Sequence, residues 1–136
     1  MFRTLLDLSA LILIRQAKLL RRLGKEVKHG RVAATKRGLN KLRRNPKWRE
    51  WVERHEHLVA VSLATDEEHA LYYSLMVAYG SVGSNPYIAD DDLIALTIAA
   101  KRHFPLVIRD RAAENVGRQH GVQFVTVAEY ISDLQA

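Results

Sequence analysis

The chain contains no cysteine, so it has neither a disulfide framework nor a thiolate metal site, and a reducing cytoplasm is its default compartment. Proline and glycine are sparse, at 3 and 7 residues, and no repeat or low-complexity tract interrupts the sequence. Long apolar runs are lacking as well. The longest near the start, residues 8–14, is far too short to cross a bilayer, and no membrane association is expected. The opening MFRTLLDLSALILIRQA resembles a signal peptide, but Asp7 breaks its apolar stretch and no clean small-residue cleavage site follows. Six histidines are scattered without the spacing of a metal site.

What remains is ordinary for a globular protein: 48% hydrophobic and 26% charged residues over 136 positions, enough for one domain, 1–136, with one sizeable core. The charge is unevenly placed. Residues 1–57 carry 16 basic against 5 acidic side chains, and residues 58–136 carry 5 against 10. Basic clusters attract polyanions through counterion release from phosphates, and acidic clusters attract cations. A protein acting on a phosphodiester needs both.

Four short apolar runs, at 2–6, 58–63, 106–108 and 122–125, predict strands, each followed by a helical pattern. Helices are expected over 9–23, 32–45, 47–56, 66–79, 91–103, 111–120 and 127–134. This alternation predicts an α/β fold, a small parallel sheet of about four strands with helices on both faces. Thr65 and Glu68 form a capping-box pattern, and GSVGSNP (80–86) is the one clear loop cluster.

The segment ADDDLIALTIAAKRHFPLVIRD (89–110) is the most informative. Asp90, Asp91 and Asp92 open an otherwise apolar helix, and Asp110 follows the strand that comes after it. Asp7 directly follows the first strand. Parallel α/β sheets gather ligands beyond the carboxyl ends of their strands, so these carboxylates share one edge if the loop before Asp90 folds over it. Two carboxylates about 4 Å apart repel by roughly 4 kcal/mol at an effective dielectric near 20. A helix N-terminus returns only about 0.3–1 kcal/mol per carboxylate. Convergence therefore calls for raised pKa values or a bound cation, and all-oxygen ligands suit Mg²⁺ or Mn²⁺. Simple capping of the helix is the other reading of the 90–92 run.

The stretches LLDLSALI (5–12), DDLIALTIAA (91–100) and LVIRD (106–110), followed by RAAENVGRQHGVQFVTVAEYI, resemble the PIN domain family of VapC-type toxin ribonucleases. The resemblance covers residues 2–12 and 58–131 and implies a three-layer PIN-like fold. It further implies a metal-dependent endoribonuclease in which Asp7, Asp91 and Asp110 hold Mg²⁺ or Mn²⁺, a homodimer and, for a toxin, a small antitoxin partner. The family pattern pairs Asp7 with Ser9 and includes a fourth acid. Glu26, in EVKHG, resembles the family's glutamate stretch, and Glu68 is the rival, with Asp92 a further alternative acid. If neither glutamate reaches the site, the protein is a catalytically degenerate RNA-binding or interaction module.

The basic stretch supplies Lys36, Arg37, Lys41, Arg43, Arg44 and Lys47 on what reads as one helical side, a candidate RNA-tracking arm. Trp48 and Trp51 lie just beyond it as stacking or core residues. A receiver-like signalling domain also collects acids at strand ends. It wants a lysine after a late strand, and Arg109 stands there instead.

Overall fold

The computed structural model describes residues 3–136, so Phe2, at the start of the expected first strand, lies outside the described residues. Five strands form one parallel sheet: β1 (Thr4–Leu6), β2 (Val32–Thr35), β3 (Ala60–Val61), β4 (Leu106–Val107) and β5 (Phe124–Val125). Helices α1 (Leu8–Gln16) and α2 (Leu20–Lys28) connect β1 to β2, and α3 (Lys36–Arg43) and α4 (Pro46–Val59) connect β2 to β3. Helices α5 (Asp66–Tyr79) and α6 (Asp90–Arg102) lead to β4, α7 (Arg111–Gln119) leads to β5, and α8 (Val127–Gln135) follows. No helix among the described residues is long and apolar enough to cross a membrane.

The two-residue period of each strand divides its side chains between two apolar layers. Leu6, Val32, Ala34 and Val107 pack with α1, α2, α3, α4 and α8 on one face. Leu5, Ala33 and Leu106 pack with α5, α6 and α7 on the other. Register makes this consistent, since Leu5 pairs with both Ala33 and Leu106. The outcome is the expected three-layer α/β fold, with five strands where about four were expected.

The extra strand is β2. The sequence pattern runs a single helix through 32–45, because Val-Ala-Ala-Thr carries a weak strand signal and merges with the helical period that follows. In the fold all four β2 residues are buried between the layers, and Thr35 caps α3 by accepting from the Gly38 N–H at 3.1 Å. The expected helix over 9–23 is two helices, parted where Lys18 takes a left-handed conformation (φ 62°). The expected strand over 58–63 shrinks to Ala60–Val61, because Trp48, Val52, His55 and Val59 continue one buried helical stripe up to its edge. The strand expected over 122–125 keeps only its last two residues.

The sheet order β3-β2-β1-β4-β5 has a physical consequence. The chain steps outward from β1 to β3, then returns to the other side of β1 for β4 and β5. Strands β1 and β4 therefore flank the topological switch point, and the crevice beyond their carboxyl ends is where such sheets receive ligands.

Candidate active site

Asp7 and Asp110 emerge at that crevice, each as the N-cap of the helix leaving its strand. Asp7 accepts from the Ala10 N–H at 2.7 Å and from the Ser9 hydroxyl at 3.0 and 2.9 Å, which orients the carboxylate. Asp110 Oδ1 accepts from the N–H groups of Ala112 at 2.9 Å and Ala113 at 3.3 Å. Burial pushes the Asp7 carboxyl above its ordinary range, against the pull of Ala10, Ser9 and Arg109.

The aspartates of α6 do not cap their helix. Ala89 is the N-cap, with no side-chain cap bond, so the three acids sit in the first turn of α6, where its dipole favours them, without capping it through their side chains. The three carboxylates separate instead. Asp90 pairs with Arg37 and accepts from the Tyr72 hydroxyl, which is pushed up to about 12 by that bond. Asp91 lies 3.1 Å from Arg37 Nε and also pairs with Lys41 Nζ. Asp92 turns to the crevice. Burial and then the charges of Asp7, Asp110 and Asp91 push its carboxyl up to about 7.

Asp7, Ser9, Asp91, Asp92, Arg109 and Asp110 thus line a single open groove at the switch point. Acids from three distant stretches of chain meet there, as the sequence leads one to expect. The difference lies within the run: Asp91 is held by two side-chain cations, whereas Asp92 has none among the described residues and is raised by burial and then by its acidic neighbours.

Neither candidate glutamate lines this groove. Glu26 sits on α2 with Arg31 at 3.2 Å and borders a different groove, with Tyr130 and Asp133. Because α2 stays helical to Lys28, Glu26 never reaches the carboxyl edge of the sheet. Glu68 is a structural acid. It closes the Thr65 capping box, accepts from the Ala64 N–H at 2.7 Å, and grips Arg102 at 2.8 Å (Nε) and 3.0 Å (Nη2). The hydrogen-bonded Arg102 guanidinium, with the Ala64 and Thr65 N–H groups, holds the buried Glu68 carboxyl down to about 2.

On the β2 side of the groove, α3 offers cations. Arg37 and Lys41, one turn apart, cross to the first turn of α6. The expected basic side is accordingly divided: Arg43 pairs with Glu56 on α4, while Lys36, Arg44 and Lys47 stay exposed. The link from α3 to α6 escapes the sequence because its partners are 50 or more positions apart.

No family model matches the chain, and no curated protein matches its sequence.

Proposed function

We propose that the protein is a PIN-type endoribonuclease that cleaves RNA phosphodiesters at the groove lined by Asp7, Asp92 and Asp110. The observation that carries this reading is the meeting of Asp7, Asp92 and Asp110 in one groove, where the half-buried Asp92 has no ion-pair partner among the described residues and is raised by burial and by three neighbouring carboxylates. Such a cluster favours either a proton or a hard cation.

The donors present suit Mg²⁺ or Mn²⁺ in chemistry, since all are carboxylate oxygens. Among the described residues no three acid or histidine side chains are gathered closely enough to ring an ion by themselves. Magnesium commonly takes one or two carboxylates and keeps waters and substrate phosphates in its remaining positions, so an open platform of this kind fits it. Asp92 and Asp110 are the residues to hold the ion, with Asp7, fixed by Ser9, beside them. When bound, the cation lowers the pKa of water and offsets charge developing on the phosphoryl oxygens. Arg37 and Lys41 hold Asp91 and put positive charge at the rim, where an incoming phosphate group is attracted.

The test is cleavage of a single-stranded RNA with and without Mg²⁺ or Mn²⁺, comparing wild type with Asp7→Asn, Asp92→Asn and Asp110→Asn. Cation-dependent cleavage lost in the variants supports the proposal, and equal cleavage in all four proteins refutes it.

Two observations favour a second reading, a non-catalytic RNA-binding module on the same fold. No glutamate joins the groove, and Asp91 is already paired by Arg37 and Lys41. That reading expects RNA binding without cleavage by the wild type, unaltered by Asp92→Asn.

A further inference from the structure

Trp51 Nε1 is buried with no hydrogen-bond partner among the described residues, whereas the buried Asp91 Oδ1, in the acid groove, has the Arg37 guanidinium 3.1 Å away. A buried orphan of this kind is costly and calls for an explanation. Trp51 belongs to a second groove, between α2 and α4, which shares no lining residue with the first.

This second groove is lined by Arg21, Lys25 and Lys28 from α2 and by Trp51, Arg54 and His55 from α4. The three α2 cations follow the four- and three-residue spacing that stacks side chains on one helix face. None of them has an ion-pair partner among the described residues, whereas Arg54 shares its charge with Glu50 at 2.8 Å. At about 360 Å³ the groove lies at the small end of ligand sites, suited to a phosphate-bearing unit rather than a folded partner.

Its floor is built. His55 is only 6% exposed, and its Nδ1–H donates to the Trp51 carbonyl at 2.9 Å, which fixes the imidazole 4.6 Å from the Trp51 ring centre. The helix opposite keeps Gly24 at the contact, where a Cβ would stand 3.1 Å from His55 Nε2. Glycine inside a helix is less favourable than alanine, and here it lets the two helices approach closely. An aromatic wall beside a row of unpaired cations is the combination that holds phosphates with an adjoining base.

We propose that the α2–α4 groove is a phosphate-binding site in which Arg21, Lys25 and Lys28 engage phosphate groups beside the Trp51–His55 wall. The ligand chemistry has two sources, the backbone of single-stranded RNA or a free phosphate. The site goes beyond hydrolysis at the acid groove, and its test needs no divalent cation.

The experiment titrates the full chain, in EDTA, separately with inorganic phosphate and with a short single-stranded RNA. It follows the two indole N–H signals by NMR, assigned with Trp51→Phe. The Trp51 signal should move while that of Trp48, only 3% exposed in the core, stays fixed. The Arg21→Ala/Lys28→Ala protein should bind about ten-fold more weakly, with a salt slope shallower by about two. Movement with RNA alone identifies the backbone as the ligand, and movement with phosphate alone identifies a small phosphorylated one; either supports the site. A Trp51 signal that neither ligand moves, or one that moves equally in the double variant, overturns it. Because cation-dependent cleavage is absent from this assay, failure here leaves the nuclease reading standing, and the reverse also holds.

Discussion

The backbone N–H of Asp7 donates to the carbonyl of Val107 at 3.1 Å, tying the end of β1 to the end of β4. Asp110 follows Val107 by three residues, so this bond fixes the separation of two acids that lie more than a hundred positions apart in the chain. The acid groove is therefore built on the sheet itself rather than on mobile loops, and substitutions in its carboxylates should act through charge with little change of fold.

Asp92 should destabilise the protein whenever it is ionised. Its folded-state carboxyl is raised from the ordinary 3.8 to about 7, so the unfolded chain releases this proton first. Its favourable contribution is fully present below about 3.8 and lost as pH rises through about 7. Asp92→Asn is expected to stabilise the cation-free protein at pH 8 by roughly 1–2 kcal/mol, after discounting for solvent screening. The gain should fade toward pH 4. Thermal melts at both pH values check this.

Glu68 should show the opposite dependence. Its folded-state carboxyl is lowered from 4.5 to about 2, so its contribution is present above about 4.5 and lost as pH falls toward 2. Glu68→Gln leaves the Arg102 guanidinium without its charge partner and should cost on the order of 3 kcal/mol at neutral pH. RNA cleavage per folded molecule should be unchanged, which distinguishes a structural acid from a site acid. Urea melts alongside the cleavage assay give both readings.

Arg37 and Lys41 compete with any cation for the carboxylates of α6. Replacing both with alanine frees Asp90 and Asp91 and makes the groove more negative. Divalent-cation affinity should rise several-fold while RNA affinity falls, as read by calorimetry and by RNA binding in EDTA. Unchanged values for both would remove these residues from the account.

Gly117 supports the packing of α7 on the sheet. An added Cβ would stand 2.5 Å from Cζ of the partly buried Phe124 and 2.7 Å from Cδ2 of the buried Leu96. Gly117→Ala should lower stability by about 1–3 kcal/mol through overpacking. A melt with no loss would show that Phe124 has room to withdraw.

Much of the acid groove is legible before folding, because Asp7 and Asp110 each follow an apolar strand and helix N-caps accept aspartate. The choice within the 90–92 run is not. Successive helical residues are turned about a hundred degrees apart, so which carboxylate enters the groove depends on how Leu93 and Leu96 seat α6 in the core. Strand β2 is hidden for another reason: Ala33 and Ala34 are small enough to suit either element, and burial on both faces leaves no alternation to read. Missing that strand also conceals that the helix beginning at Lys36 starts at the same edge of the sheet as α6, and hence that Arg37 and Lys41 reach Asp90 and Asp91.

A divalent cation is proposed to meet Asp92 and Asp110 at the switch point, and Mn²⁺ binding followed by electron paramagnetic resonance tests this without relying on turnover. Wild type, Glu26→Gln and Glu68→Gln should bind Mn²⁺ alike, while Asp92→Asn and Asp110→Asn should weaken binding by at least ten-fold. Equal binding by all five proteins, or none by the wild type, would contradict the account and leave a parallel α/β fold with a basic arm.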